Sequence, residues 1–178
     1  MMKMLVAAAI LVVLITIIVL LVKSTKNRLK LLNIKLKEAD SNINLYLQKK
    51  KTTLDNIIKI IIDLKKDEGL FDDFSNDTKK EKNTFVLHSV LNKYYSKLSK
   101  LLLDDEELSK NSDILEHLIN LKNNEEELIG SIKFYNDSVV DYNGLIKTFP
   151  HKVFAKVKSL DNKDFYNNEK EELFDILK

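Results

Sequence analysis

The chain has 178 residues, 29 of them basic and 27 acidic, and the formal charge of +2 is too balanced to argue for a nucleic-acid groove or an acidic substrate. It holds no cysteine, hence no disulfide framework, thiolate nucleophile or cysteine zinc site. Three glycines and one proline supply few turns, so we expect an all-α fold: an N-terminal transmembrane helix followed by an antiparallel bundle of three to four long helices.

Residues Met4 to Val22 carry no charge, and Thr16 is their only polar side chain. As a helix this stretch measures about 28 Å, close to the roughly 30 Å hydrocarbon thickness of a bilayer. No face of it is polar, which argues against a core helix. Ala7, Ala8 and Ala9 precede the apolar run rather than follow it, which argues for an uncleaved anchor over a signal peptide. Lys23, Lys26, Arg28 and Lys30 follow closely, whereas Lys3 and the terminal amine precede, so the expected topology is a single pass of the cell membrane with the N-terminus outside and the domain cytoplasmic. The expected layout is an anchor over 1–23, a bundle over 24–166 and a tail over 167–178.

From Leu29 apolar residues recur every seven positions, at Leu29, Leu36, Ile43, Ile57 and Leu64, with Leu32, Ala39, Tyr46, Leu47, Leu54 and Ile61 between them. This is helical period, and with no Gly or Pro before Gly69 the helix runs unbroken out of the span. The charge run over 49–51 reads as a solvated helix face, but its middle member, Lys50, falls on the seam. Residues 67–82, acidic then basic around Gly69, read as a loop or frayed end that Phe71 and Phe74 tuck onto the bundle. A second helix is expected over 85–103, with Val86, Val90, Leu91, Tyr94, Leu98 and Leu101 on one face.

The third helix, 112–148, has N-cap candidates in Ser109, Asn111, Ser112 and Asp113. Ile114, Leu121, Leu128, Tyr135, Tyr142 and Phe149 stand seven apart, with Leu118, Ile132, Val139 and Ile146 as a companion row broken at Glu125. Asn136 and Asn143 flank the seam, and Phe149-Pro150 ends the helix because proline disfavours helical geometry in the residue before it. A lone buried charge is costly, so Lys50 and Glu125 are expected to meet; the alternative is that both snorkel to solvent. With helices running up, down and up, the first and third would be parallel.

These residues resemble the LemA family of bacterial single-pass membrane proteins. The resemblance rests on Tyr135-Asn136, Val139, Tyr142-Asn143, Ile146 and Phe149-Pro150, with Glu125 ten residues upstream, Leu108 and Asn111 before the third helix, and Ala155 and Phe165-Tyr166 after it. In the first helix Ile43, Leu47, Leu54, Asn56 and Ile57 also match, and Lys50 stands where the family usually has Arg. The chain departs from the family pattern at Thr52, Asp55, Asp105-Glu106 and Ile132, and the last takes the place of an Arg, so a network built on that Arg is not carried over. The resemblance implies a helical membrane protein of uncertain molecular function, with no catalytic residues.

Read as chemistry, the sequence offers little. His88, His117 and His151 lie on separate segments, none follows a Glu by three residues, and no glycine-rich phosphate loop occurs. Asp113 and His117, one turn apart, read as a surface pair rather than a metal site. We therefore expect a non-enzymatic interaction or scaffold module with structural residues Lys50, Glu125, Tyr135, Asn136, Val139, Tyr142, Asn143, Ile146, Phe149 and Pro150. The expected partners are the bilayer, through residues 4–22, and an unidentified protein, with no cofactor and no nucleic acid. The alternatives are a structural coiled-coil oligomer and, more remotely, a hydrolase or metal-binding bundle.

Overall fold

The computed structural model describes residues 1–65, 68–81 and 83–166. It consists of helices α1 (Met2–Lys65), α2 (Phe74–Lys80), α3 (Thr84–Asp104), α4 (Glu106–Ser109), α5 (Ser112–Lys147) and α6 (His151–Val157), with a 3-10 turn at Glu68–Phe71 and no strand among the described residues. The fold is all-α. α1 runs without a break because nothing in it removes a backbone donor or a side chain before Gly69. Its first part, uncharged and exposed, is a candidate membrane span. The tail over 167–178, which the sequence leaves open between a short amphipathic helix and a frayed end, lies outside the described residues.

The chain forms two compact units, one from Met1–Glu38 with Phe134–Phe165, the other from Ala39–Lys133 with Tyr166–Lys178. In the first, Leu29, Leu36, Val139, Tyr142, Ile146 and Ala155 make the core, with Leu32 and Tyr135 half-buried against it. Fully burying a Leu, Ile or Val side chain stabilises by about 1.5–3 kcal/mol. α5 stops at Lys147, the Phe149-Pro150 peptide is cis, and the chain re-enters helix at His151. Because the helix has ended at Lys147, Phe149 leaves the seam that its spacing assigns it to, and is 83% exposed.

The second unit packs Leu47, Leu54, Ile57 and Ile61 of α1 with Leu91 and Leu98 of α3, Leu108 of α4, and Ile114 and Leu128 of α5. Leu64, the last of the expected seam, is exposed near the end of α1. The expected α3 face holds at Leu91, Tyr94 and Leu98, which are buried, but at its start Leu87 and His88 are buried in place of Val86, which is 45% exposed. Three side-chain caps start the helices: Asn83 accepts from Phe85 N and Val86 N, Asp105 from Glu107 N and Leu108 N, and Asn111 from Asp113 N and Ile114 N.

Helix directions also differ from the up-down-up expectation. Within this unit Lys50 meets Asn92 of α3, and Lys65 meets Asp105 just beyond it, so α1 and α3 are parallel. Lys65 meets Glu107, shortly before α5 begins, while Lys50 meets Glu125 within it, so α1 and α5 are antiparallel. The cause is the segment read as a loop, which folds instead into the 3-10 turn and α2. Phe71 and Phe74 are buried, Phe74 sits edge-on to Tyr94 at 5.0 Å, and Lys51 Nζ donates to Thr78 O at 3.2 Å. That excursion returns the chain beside the middle of α1 before α3 begins.

Candidate functional site

Lys50 sits on the buried stripe of α1, which aims its side chain between α3 and α5 of the second unit. Its Nζ donates to Glu125 Oε2 at 2.6 Å and to Asn92 Oδ1 at 2.7 Å, and lies 5.6 Å from the centre of the Tyr95 ring. The Lys50 side chain is 2% exposed and that of Glu125 13%. Burial pushes the Lys50 ammonium below the usual lysine value, and Glu125 pulls it part of the way back. An ammonium with an acceptor on two of its three protons and an aromatic face nearby is a structural clamp, with no lone pair to act as a base. Of the 49–51 run only Lys49 is a solvated side chain; Lys51 is half-buried.

Beside this clamp the same unit holds an open groove of about 660 Å³ between α1 and α5. Five amide side chains line it: Gln48, Asn56, Asn120, Asn123 and Asn124. Asn124 Nδ2 donates to Tyr46 O at 2.9 Å, while its Oδ1 is buried without a hydrogen-bond partner. Tyr46 Oη donates to Glu127 Oε2 at 3.4 Å on the groove's rim. Amides both donate and accept, so such a surface matches the alternating N–H and C=O groups of a peptide. His117 reaches the groove, and Asp113 accepts from Ser112 Oγ at 3.3 Å. Among the described residues no group of three or more His, Asp or Glu gathers into a metal site.

A sequence profile of the LemA family matches residues 39–175, most of the chain, and takes in both Lys50 and Glu125 and the twin Tyr-Asn pairs. The chain belongs to the LemA family. No curated protein matches it. LemA is not a known enzyme family.

The LemA motif at the end of α5 lies wholly in the first unit. Val139, Tyr142 and Ile146 are core residues there, Tyr135 and Asn136 are half-buried, and Pro150 is the N-cap residue of α6. Asn143 is a two-way clamp: its Nδ2 donates to Lys163 O at 2.9 Å and its Oδ1 accepts from Lys163 N at 2.8 Å. The positions where the chain departs from the LemA pattern have local partners of their own. Asp55 pairs with Lys59 at 2.7 Å, Asp105 caps α4 and pairs with Lys65 at 2.7 Å, and Ile132 is buried, 1% exposed.

Sequence reasoning missed Asn92, Asn124 and the Thr25–His151 contact. Asn92 and Asn124 are polar residues beside helix-period apolar rows, indistinguishable in one sequence from surface asparagines. Thr25 had a signal: among the charged residues that follow the span it is the small uncharged position one turn before Leu29.

Proposed function

We infer that this LemA protein is a membrane-tethered interaction module without catalytic activity. Residues 4–22 hold it in the cell membrane as a single pass, the domain faces the cytoplasm, and the amide-rich groove of the second unit receives an extended stretch of a partner protein. The observation that carries this reading is the groove itself, where five amides stand along α1 and α5 and one buried acceptor, Asn124 Oδ1, has no partner. The Lys50–Glu125 clamp supports it by keeping the two walls at a fixed separation next to the groove.

The test is photo-crosslinking in intact cells with a photoreactive residue at Asn120 in the groove, or at the exposed Lys97 of α3. A partner that captures the Asn120 probe and not the Lys97 probe is expected, and its capture falls when Asn123 is changed to Leu. Equal capture at both positions would dispose of the groove. The coiled-coil alternative draws on the exposed Leu115 and Ile119, one turn apart on α5. The rows that would form its seam are consumed within the chain, and the detergent-solubilised protein is therefore expected to sediment as a monomer.

A further inference from the structure

The first unit carries an apolar groove of about 310 Å³ whose two walls differ in origin. Ile18, Leu21 and Val22, the last turns of the candidate span, form one wall, and Phe149, Val153 and Val157 the other. The latter three are 83%, 59% and 77% exposed, a patch that in water would lack any cover. Their neighbours, however, are side chains that the span places in lipid.

The spacing of α6 gives it three faces. His151 and Ala155, four apart, face inward: Ala155 is 4% exposed, and His151 Nδ1 lies 2.7 Å from Thr25 Oγ1. That hydroxyl gives its single proton to Leu21 O at 2.8 Å, so the histidine nitrogen is the donor and α6 is tied to α1 where the span ends. Val153 and Val157, also four apart, share the groove face. Lys152 and Lys156 form the third face, exposed, with Lys158 just beyond. No Asp or Glu occurs in residues 1–37 or 142–160, so the cations here, Lys23, Lys26 and Arg28 included, have no acid in either stretch to offset them.

We propose that α6 is a membrane-surface helix: Phe149, Val153 and Val157 sit in the acyl layer beside the end of the span, and Lys152, Lys156 and Lys158 engage the phosphates of anionic phospholipids. Apolar residues on one face and lysines on the next are what a helix lying in the interface requires, and long lysine stems reach from the acyl boundary to the headgroups. The excess of cations in these two stretches favours an anionic leaflet over a second copy of the same basic surface. The inference rests on reading residues 4–22 as a span.

The chain has no tryptophan, so single tryptophans report cleanly. Full-length Val12→Trp, Val153→Trp and Ile119→Trp proteins are reconstituted into vesicles of phosphatidylcholine with phosphatidylglycerol, carrying bromine either near the headgroup or near the chain end. Val12→Trp is expected to be quenched by the deep label, Val153→Trp to emit at short wavelength and be quenched by the shallow label, and Ile119→Trp to be unaffected. Reversing Lys152, Lys156 and Lys158 to Glu lowers the Val153→Trp quenching in these vesicles, the electrostatic share being about fivefold per lysine. Quenching of Val12→Trp with a solvent-like, unquenched Val153→Trp would overturn the inference and leave the span standing. Protection of Val153→Trp that grows with protein density but not with brominated lipid would assign the face to a second copy. An unquenched Val12→Trp would remove the span reading and this inference with it.

Discussion

The unit around Tyr142 and the unit around Lys50 are built from the same two long helices with the same seven-residue rhythm, yet their interiors are of different kinds. The first is filled by Leu29, Leu36, Val139 and Tyr142 and keeps its polar contacts, Thr25 with His151 and Asn143 with Lys163, at its margins. The second buries a charge among Leu47, Leu54, Leu91 and Leu128 and answers it with a carboxylate and an amide. A heptad row tolerates a charged member when the neighbouring helices deliver a counter-charge and a second acceptor to the same point. The first unit has no charge in its core row and needs no such device.

The largest expected effect tests the polar interior directly. Lys50→Met leaves Glu125 buried and uncompensated and should destabilise by about 3–5 kcal/mol, roughly 10 °C in the thermal midpoint read by circular dichroism in detergent. Adding Glu125→Leu should recover most of that loss, because a well-packed apolar pair substitutes for a buried ion pair with little penalty. An unchanged midpoint in Lys50→Met would erase the contrast between the units.

Alkaline pH sharpens the contrast from another side. Burial pushes Tyr94 and Tyr166 of the second unit well above the tyrosine value of 10.0, with Asp77 and Asp40 adding to it, and burial with Asp161 raises Tyr142 of the first. A folded-state pKa above the unfolded one gives stability that is complete below pH 10 and is lost as the pH rises beyond it. Lys50, lowered on folding, works in the opposite sense, but it is one group against several. Ultraviolet titration should therefore show native tyrosines ionising late and together with unfolding. Ionisation of all six near pH 10 in the folded protein would contradict the burial of both cores.

A smaller effect belongs to the first unit. Thr25→Val keeps the shape of a side chain that is 2% exposed but strips His151 of its acceptor, and should cost about 1–2 kcal/mol without a charge-dependent component. A loss as large as that of Lys50→Met would mean that the first unit, too, depends on a polar interior. Smallest is Gly130→Ala in α5 of the second unit: nothing lies within 4 Å of the added methyl, so the helix should gain about 0.5–1 kcal/mol, a rise of a few degrees.

Much of the packing was legible in the sequence because burial follows helical period. Ile43, Leu47, Leu54, Ile57, Val139 and Tyr142 are all core, and the paired interruptions at Lys50 and Glu125 face each other. Helix direction was not legible, because it depends on how residues 68–81 return the chain, and a short amphipathic α2 held by Phe71 and Phe74 resembles a polar loop when read by composition. Phe149 kept the seven-residue count but not the helix, since Pro150 ended the geometry that gives the count its meaning. The amide groove was invisible for a third reason: asparagines spread over two helices reveal a shared surface only once the chain direction brings α1 and α5 side by side.

Asn143 holds Lys163 through its backbone amide and carbonyl and makes no use of its side chain. Any residue but proline can occupy position 163 without disturbing that grip. Adding or deleting one residue between 151 and 162 would instead present a neighbouring peptide group, with its side chain turned the other way. Tolerance at position 163 itself should accordingly be wide for exchanges, whereas the stretch that leads to it should be narrow for indels, so that the spacing from α6 to this peptide group is the heritable constraint.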